Sequence, residues 1–360
     1  MTDITEQISN IEKEIRETPY HKGTEHYIGK LRAKLARLRE KQLEETFKSK
    51  GSGGGGYAVR KQGDATVVLV GPPSAGKSTL LNKVTNAQSK IAAYEFTTLT
   101  VIPGMLDYKD AKIQILDVPG LIEGAEIGKG RGREVLSVVR GADLLILISD
   151  IQRPGVFKNI ETALYDSGIR INTSPPEVNI EKKLKGGIII HSNIKQNISK
   201  ETIKEMASSF RISNGEIVVK EKLTMERLID AFSRNRTYIP AIYVINKSDM
   251  DKNIGKKKLE NVDIVISSKE GINIDKFKEL MWEKLELVKI YLIREKEEPS
   301  TNNPLIMKKG QTLGEVAKKI GEEFAEDKER AIIWGSGSKF PGQEISLSTE
   351  IKEGMMVRFI

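Results

Sequence analysis

Isoleucines at positions 4, 8, 11 and 15 recur at spacings of four, three and four, which places them on one face of a helix. Pro19 and Gly23 punctuate the stretch that follows. A second helical stripe, Leu31, Leu35, Leu38 and Leu43, runs between about Ile28 and Phe47. The two stripes predict a helical hairpin within residues 1–50, followed by a flexible glycine-rich linker over 51–62 that contains GSGGGG. Beyond the linker the period changes. TVVLVG (66–71), KIQILDVPG (112–120), ADLLILISD (142–150), PAIYVINKSD (240–249) and VDIVISS (262–268) read as buried strands, and STLLNKVT (78–85) reads as a helix. Apolar strands separated by helical segments predict an α/β domain, a mostly parallel sheet with helices on both faces.

About 90 residues separate the third of these strands from the fourth, too many for one crossover. They carry their own strand-like and helical pieces, so an inserted α/β subdomain is expected at 165–235, dividing the main domain into 63–164 and 236–288. From residue 289 to 360 the pattern runs strand, strand, helix and short strands, a small mixed α+β domain.

Composition narrows the class. The longest apolar run, LLILI at 144–148, is far short of the roughly 20 residues that span a bilayer, so no membrane partner is expected. The N-terminus lacks the basic and apolar regions of a secretory signal, and the chain has no cysteine. Disulfides and thiolate metal sites are excluded, and a cytoplasmic location is expected. The net charge of +8 reads either as attraction to a polyanion such as RNA or as a solvated surface. Residues 30–50 hold eight Lys/Arg against three Glu, so the second helix is either a solvated basic face or a docking surface for a macromolecule. His21, His26 and His191 show no metal-ligand spacing.

The chemistry lies at strand ends. GPPSAGKST (71–79) fits G-x-x-x-x-G-K-[ST], preceded by a strand and followed by a helix. Gly71, Ser74, Ala75, Gly76 and Thr79 belong to a loop whose backbone N–H groups would curl around phosphate oxygens at a helix N-terminus. Lys77 would reach the β- and γ-phosphates, and Ser78 would ligate Mg²⁺. In DVPG (117–120), Asp117 would hold Mg²⁺ and the Gly120 N–H would sense the γ-phosphate. In NKSD (246–249), Asp249 would accept from guanine N1–H and N2–H₂, a pair adenine lacks. Asn246 would tie this loop to the phosphate loop, and the Lys247 stem would lie over the base. SSK (267–269) comes last: the Ser268 N–H would face guanine O6, flanked by Ser267 and Lys269. Between the first two motifs, Thr97 and Thr98 both offer a hydroxyl to the Mg²⁺ shell, and spacing does not choose between them. Each later motif is weak alone, but in this order they predict a GTP/GDP site with Mg²⁺. An ATPase is the competing reading, against which Asp249 argues.

FTTLTVIPG, followed by DVPGLIEGAEIGKGRGREVLSVVRGAD, resembles the Obg superfamily of P-loop GTPases. The chain resembles most closely the developmentally regulated GTP-binding protein (DRG) family. The resemblance is carried by SGGGGYAVRKQGDATVVLVGPPSAGKSTLLN, GIRINTSPPEVNIEKKLKGGI and RNRTYIPAIYVINKSD, and by AIIWGSGSKFPGQ, which is similar to a TGS domain. It implies a helical N-terminal region, a GTPase domain with an α/β insert, and a C-terminal β-grasp (TGS) domain. It also implies a cytoplasmic GTPase linked to ribosomes and translation, with Thr98 as the Mg²⁺ ligand of the pair. RNA or ribosome is the expected partner, with a regulatory protein as a further candidate; DNA is not expected, and a monomer is. Residues 289–360 hold twelve basic and twelve acidic residues, so charge alone does not mark an RNA patch there. Ser74 stands where some cation-activated relatives carry asparagine, which leaves a K⁺ requirement open.

Leu121 follows Gly120 where many such switches place a water-orienting glutamine. Slow intrinsic hydrolysis is therefore expected, with the missing function supplied by a monovalent cation, the ribosome or a protein. Arg131 and Arg133 lie on a glycine-rich loop and either swing toward the phosphates or serve as solvated or partner-binding residues, the second reading being favoured. The alternative function is a GTP-dependent RNA or ribosome scaffold in which hydrolysis is incidental.

Overall fold

In the computed structural model the elements follow one another from two helices, α1 (Ile4–Glu17) and α2 (Glu25–Lys48). Next come β1 (Ala65–Val70), α3 (Lys77–Val84), β2 (Ile102–Tyr108), β3 (Ala111–Asp117), α4 (Gly132–Arg140), β4 (Leu144–Asp150) and α5 (Val156–Asp166). Then follow β5 (Ile169–Ile171), β6 (Val178–Lys182), β7 (Ile188–Ser192), α6 (Lys200–Ser209), β8 (Gly215–Val219), α7 (Met225–Phe232) and β9 (Thr237–Ile239). The chain continues through β10 (Ala241–Asn246), β11 (Ile264–Val265), α8 (Ile274–Leu285), β12 (Leu287–Leu292) and β13 (Pro304–Lys308). It ends with α9 (Leu313–Ile320), α10 (Glu322–Glu326), β14 (Arg330–Gly335), β15 (Gln343–Ser346) and β16 (Met355–Phe359). The structure describes residues 4–19, 21, 23–48, 61–85, 101–118, 132–153, 155–251 and 261–360. Their contacts form two compact units, one within Met1–Tyr57, Ala125–Leu136 and Lys158–Ile239, the other within Ala58–Gly124, Ser137–Phe157 and Pro240–Ile360.

In the second unit the described strands make a sheet in the order β11-β10-β4-β1-β3-β2. All its neighbours are parallel except β2 against β3. Register explains the core. Val67 pairs with Ile115 and Leu144, and Ile242 pairs with Ile146, so the alternate residues of four strands point one way. There they bury Leu80 and Leu81 of α3 and Phe277 and Met281 of α8. The intervening positions face the other side, where Phe157 of α5 meets Tyr243 edge-on at 5.3 Å between ring centroids. The mostly parallel α/β fold expected from the apolar runs is thus the fold observed.

Strand β2 was not among the expected strands. It pairs with β3 through a two-residue turn in which Lys109 and Asp110 both have positive φ, 51° and 67°. That is the geometry of a type I′ hairpin, here without the Asn-Gly that usually announces it. Pro103 and Gly104 also break the apolar run, as suits an edge strand.

After β11 and α8 the same unit carries a second sheet, ordered β13-β12-β16-β14-β15, with β12 and β16 parallel at its centre. Helix α9 buries Leu313, Val316 and Ala317 against Ile290, Ile333 and Val357, which is the expected β-grasp arrangement. A capping box between Thr312 and Glu315 starts that helix. This sheet seats on the first one. Leu287 and Ile306 enter the α/β core. Lys308, Lys319 and Lys289 reach Asp143, Asp64 and Asp110 at 2.7, 3.2 and 2.6 Å. Each of those aspartates sits just before the amino end of a strand, the end opposite the nucleotide motifs.

In the first unit α1 and α2 form the expected hairpin, with Ile11, Ile28 and Leu31 buried. Ala33 and Ala36 are buried as well, and Ala36 packs into a cluster with Ile203, Leu228 and Phe232 of α6 and α7. Those helices cover a sheet ordered β6-β8-β7. Arg170 and Asp230 meet in a buried bidentate pair at 2.6 and 2.7 Å, Arg236 joins at 2.7 Å, and the Arg170 guanidinium lies 3.6 Å from the centre of the Tyr165 ring. Among the described residues no helix is long and apolar enough to cross a membrane.

Candidate guanine-nucleotide site

Strands β1, β3, β4 and β10 all end at one edge of the sheet, and the loops that leave them converge there. After β1 the chain must turn sharply. A Cβ on Gly71 would lie 2.2 Å from the Ile148 carbonyl oxygen, so only glycine lets the turn pass β4. Gly76 has φ 88° and a Cβ there would sit 2.3 Å from Asn246 Nδ2. The two glycines of the motif are therefore each required by a close approach. Helix α3 starts at Lys77 with no side-chain cap, which leaves its first N–H groups for a ligand. Ser74 and Thr79 are exposed on the loop and first turn, and Ala75 is buried beneath them. The Lys77 ammonium donates to the carbonyls of Gly71 and Pro72, at 3.0 Å each.

Ser78 Oγ donates to Asp117 Oδ2 at 2.6 Å. Asp117 is 4% exposed, and its other oxygen, Oδ1, is buried with no hydrogen-bond partner among the described residues. A buried carboxylate oxygen without a donor is costly unless a cation meets it. The hydroxyl, the carboxylate and that orphan oxygen are the hard-oxygen donor set that Mg²⁺ takes beside a phosphate. The residues present thus fit the metal.

Asn246, at the end of β10 and 2% exposed, joins three loops. Its Nδ2 donates to the Ala75 carbonyl at 3.0 Å, which ties the NKSD segment to the phosphate loop. Its Oδ1 accepts from Ser268 N and Ser268 Oγ at 2.9 and 3.0 Å. The Ser268 N–H, expected to face guanine O6, is thus engaged within the protein. Ser267 Oγ donates to Asp249 Oδ1 at 2.5 Å, and this hydroxyl holds the exposed Asp249 carboxyl below its ordinary range. Lys247 adopts φ 64°, which turns the chain so that Asp249 follows it on a short 3-10 turn. Lys269 is exposed beside Glu270, 3.9 Å away.

Two residues of this edge were missed by motif reading. Asp150, the last residue of β4, accepts from Arg153 Nη2 at 2.7 Å and lies 3.5 Å from Lys247 Nζ. Arg153 Nη2 also donates to the Pro73 carbonyl at 3.0 Å. The Arg153 guanidinium, against the opposing effect of burial, holds the Asp150 carboxyl below its usual range. Asp150 and Arg153 thereby brace the phosphate loop and Lys247 together. The available signal was an aspartate at a strand end with an arginine three residues on. Thr97, Thr98, Gly120, Leu121 and Arg131, and the side chain of Arg133, lie outside the described residues.

This geometry can be set beside known proteins. A family model described as 50S ribosome-binding GTPase matches residues 66–182, and one described as the C-terminal region of that domain matches 185–287. An uncharacterised GTP-binding protein of Methanocaldococcus jannaschii is 45% identical over 99% of this chain and 93% of its own. Developmentally-regulated GTP-binding protein 2 of Homo sapiens is 38% identical over 99% of both chains. The chain belongs to the developmentally regulated GTP-binding protein family. It is a GTP-binding protein of the Obg class, and its loops are those of a P-loop GTPase domain. Among solved structures, the YchF GTPase of Schizosaccharomyces pombe aligns over 84% of this chain and 99% of its own, with a TM-score of 0.41 and 14% identity.

Proposed function

We propose that this DRG-family protein hydrolyses GTP to GDP and phosphate slowly on its own, and acts in the cytoplasm as a monomeric, ribosome-associated switch in translation. The observation that carries the reading is the Ser78–Asp117 pair with its orphan buried oxygen, placed at the α3 N-terminus and locked to the base-reading loop by Asn246. In the bound state Mg²⁺ would neutralise charge on the β- and γ-phosphates, held by Ser78 and Asp117, with Thr98 completing its shell. Lys77 supplies a positive charge to the same oxygens, and the first N–H groups of α3 donate to them. Asp249, ionised at neutral pH, accepts from the guanine edge. Gly120 offers its N–H to the γ-phosphate, and in this way the switch senses which nucleotide is present.

The Leu121 side chain has no polar atom that can orient water. Since a glutamine-bearing switch unaided runs at only ~10⁻⁴ per second, unaided turnover here is well below one per second. An outside group then gates the reaction, and the ribosome is the reading supported by the family model's description. K⁺ or a regulatory protein would serve the same need. Leu121 also supports a second reading, a GTP-dependent RNA or ribosome scaffold.

Steady-state GTP hydrolysis by the full chain, in Na⁺ and in K⁺, with and without ribosomes, tests this. A slow basal rate raised many-fold by ribosomes supports the gated switch. Tight GTP binding with a rate that nothing raises favours the scaffold.

A further inference from the structure

The motifs leave unused the most basic stretch of the chain, on α2. In the structure Lys34, Arg37, Lys41 and Glu44 follow at spacings of three, four and three, so they share one helix face. That face is one bank of a groove of about 620 Å³. Lys182 at the end of β6, Arg211 after α6 and Arg234 after α7 form the opposite bank. The floor is apolar: Leu38, the half-buried Phe210 and the buried Phe232, whose rings stand 5.7 Å apart. All these residues belong to the first unit.

Six cations and two carboxylates, Glu40 and Glu44, line the groove. Glu40 is engaged with the Arg234 backbone N–H at 3.3 Å. Lys34, Arg37, Lys182, Arg211 and Arg234 make no ion pair with a carboxylate among the described residues. On the same unit Arg32, Arg39, Arg170, Arg227 and Arg236 each have a carboxylate partner. Five cations with no carboxylate partner among the described residues thus line one concave surface.

The charge distribution selects the partner. Lys34 and Lys41 are about 10 Å apart along the helix axis, and Lys182, Arg211 and Arg234 bring cations to the same groove from three other elements. A single phosphate would be met by a converging cluster, whereas cations spread over this distance and over four elements fit a chain of phosphates. A flat lipid surface cannot enter between two banks. We propose that this groove binds RNA through its phosphate backbone, sequence-independently, with Lys34, Arg37, Lys182, Arg211 and Arg234 as the phosphate contacts. The proposal deepens the ribosome reading and rests on it for the choice of RNA as the polyanion.

The test uses the full chain and a fluorescein-labelled single-stranded RNA of about 20 nucleotides, read by anisotropy across a salt series. The parent chain is expected to bind with a steep salt dependence. The triple variant Lys34→Gln, Arg37→Gln, Arg211→Gln is expected to bind at least about tenfold more weakly. Its slope of log K against log salt should fall by roughly 2, three contacts at about 0.7 each. Binding of a fluorescent GDP should not change, which also reports that the variant is folded. A control triple variant on the other unit, Lys276→Gln, Lys339→Gln, Lys352→Gln, should bind RNA like the parent. Unchanged RNA affinity in the groove variant, or equal weakening in the control, overturns the proposal. Tighter binding of a DNA of the same sequence, or competition by polyglutamate equal to that by polyuridylate, overturns the assignment to RNA. Because GDP binding is read separately, RNA binding through the groove by a chain that ignores guanine nucleotides would sink the switch and uphold the groove.

Discussion

Replacing Asn246 by alanine probes the coupling on which the site is built. The side chain is 2% exposed and makes three hydrogen bonds, one to the Ala75 carbonyl and two with Ser268. Truncation strands the Ala75 carbonyl and the Ser268 N–H in the interior. Each buried group left without its partner costs about 1–3 kcal/mol, so the upper bound is about 6 kcal/mol. Water reaching the new space relieves part of this, and a loss of about 2–4 kcal/mol in stability is expected. Part of the same coupling is felt in binding. The phosphate loop and the base-reading loop, no longer tied, must be ordered by the ligand itself. The dissociation constant for GDP should rise at least about tenfold, equivalent to about 1.4 kcal/mol. Titration of a fluorescent GDP analogue, beside thermal denaturation of the nucleotide-free chain, reads both quantities. Asn246→Asp separates the two halves of the interaction. It keeps an acceptor for Ser268 but sets a carboxylate oxygen against the Ala75 carbonyl, so it too should bind GDP poorly. A folded Asn246→Ala variant that binds GDP within about twofold of the parent would refute the coupling, because a twofold change is below about 0.5 kcal/mol.

Asp249→Asn should lose its preference for guanine and gain affinity for xanthosine nucleotides, whose C2 carbonyl can accept from the new amide. Competition among GDP, XDP and ADP measures this, and an unchanged guanine preference would contradict the role of Asp249. Asp230→Ala leaves the Arg170 and Arg236 guanidiniums in a buried site without their carboxylate and should destabilise the first unit by about 3–5 kcal/mol in urea denaturation. A loss under about 1 kcal/mol would mean that the cluster is not load-carrying for that unit. Burial raises the Asp143 carboxyl, but Lys308, the Thr66 N–H and Lys61 outweigh it, and the folded value lies below the ordinary one. The contribution of Asp143 is then complete above the unfolded carboxylate value and is lost as pH falls through the folded value. Thermal midpoints measured into the acid range should show this loss in the parent and a smaller one in Asp143→Asn.

Much of the site was legible because each motif is a short run of backbone with its own local signal. GPPSAGKST needs only a strand, two glycines and a helix start to be read, and NKSD and SSK each end an apolar run. The parallel sheet was legible for the same reason: strands buried on both faces are apolar throughout, as β1 and β4 are. Strand β2 was not, because an edge strand needs no such run and its turn is made by Lys109 and Asp110 rather than by glycine. Asp150 and Arg153 were not, because their value comes from Pro73 and Lys247, residues distant in sequence.

By itself the sequence determined which residue types are present: a glycine-rich loop of the phosphate-binding pattern, a serine and an aspartate of the kind that hold Mg²⁺, an NKSD run ending in a carboxylate, and a leucine where many such switches carry glutamine. The tertiary structure alone decided which of these residues meet. Asn246 lies 171 positions from Ala75, and only the register of β10 beside β4, and of β4 beside β1, brings the two within hydrogen-bond distance. The same holds for the basic groove, where α2 supplies one bank and three later elements supply the other. Local pattern is written in the order of residues, whereas a site assembled from distant segments depends on how burial of the apolar faces fixes the strands and helices side by side.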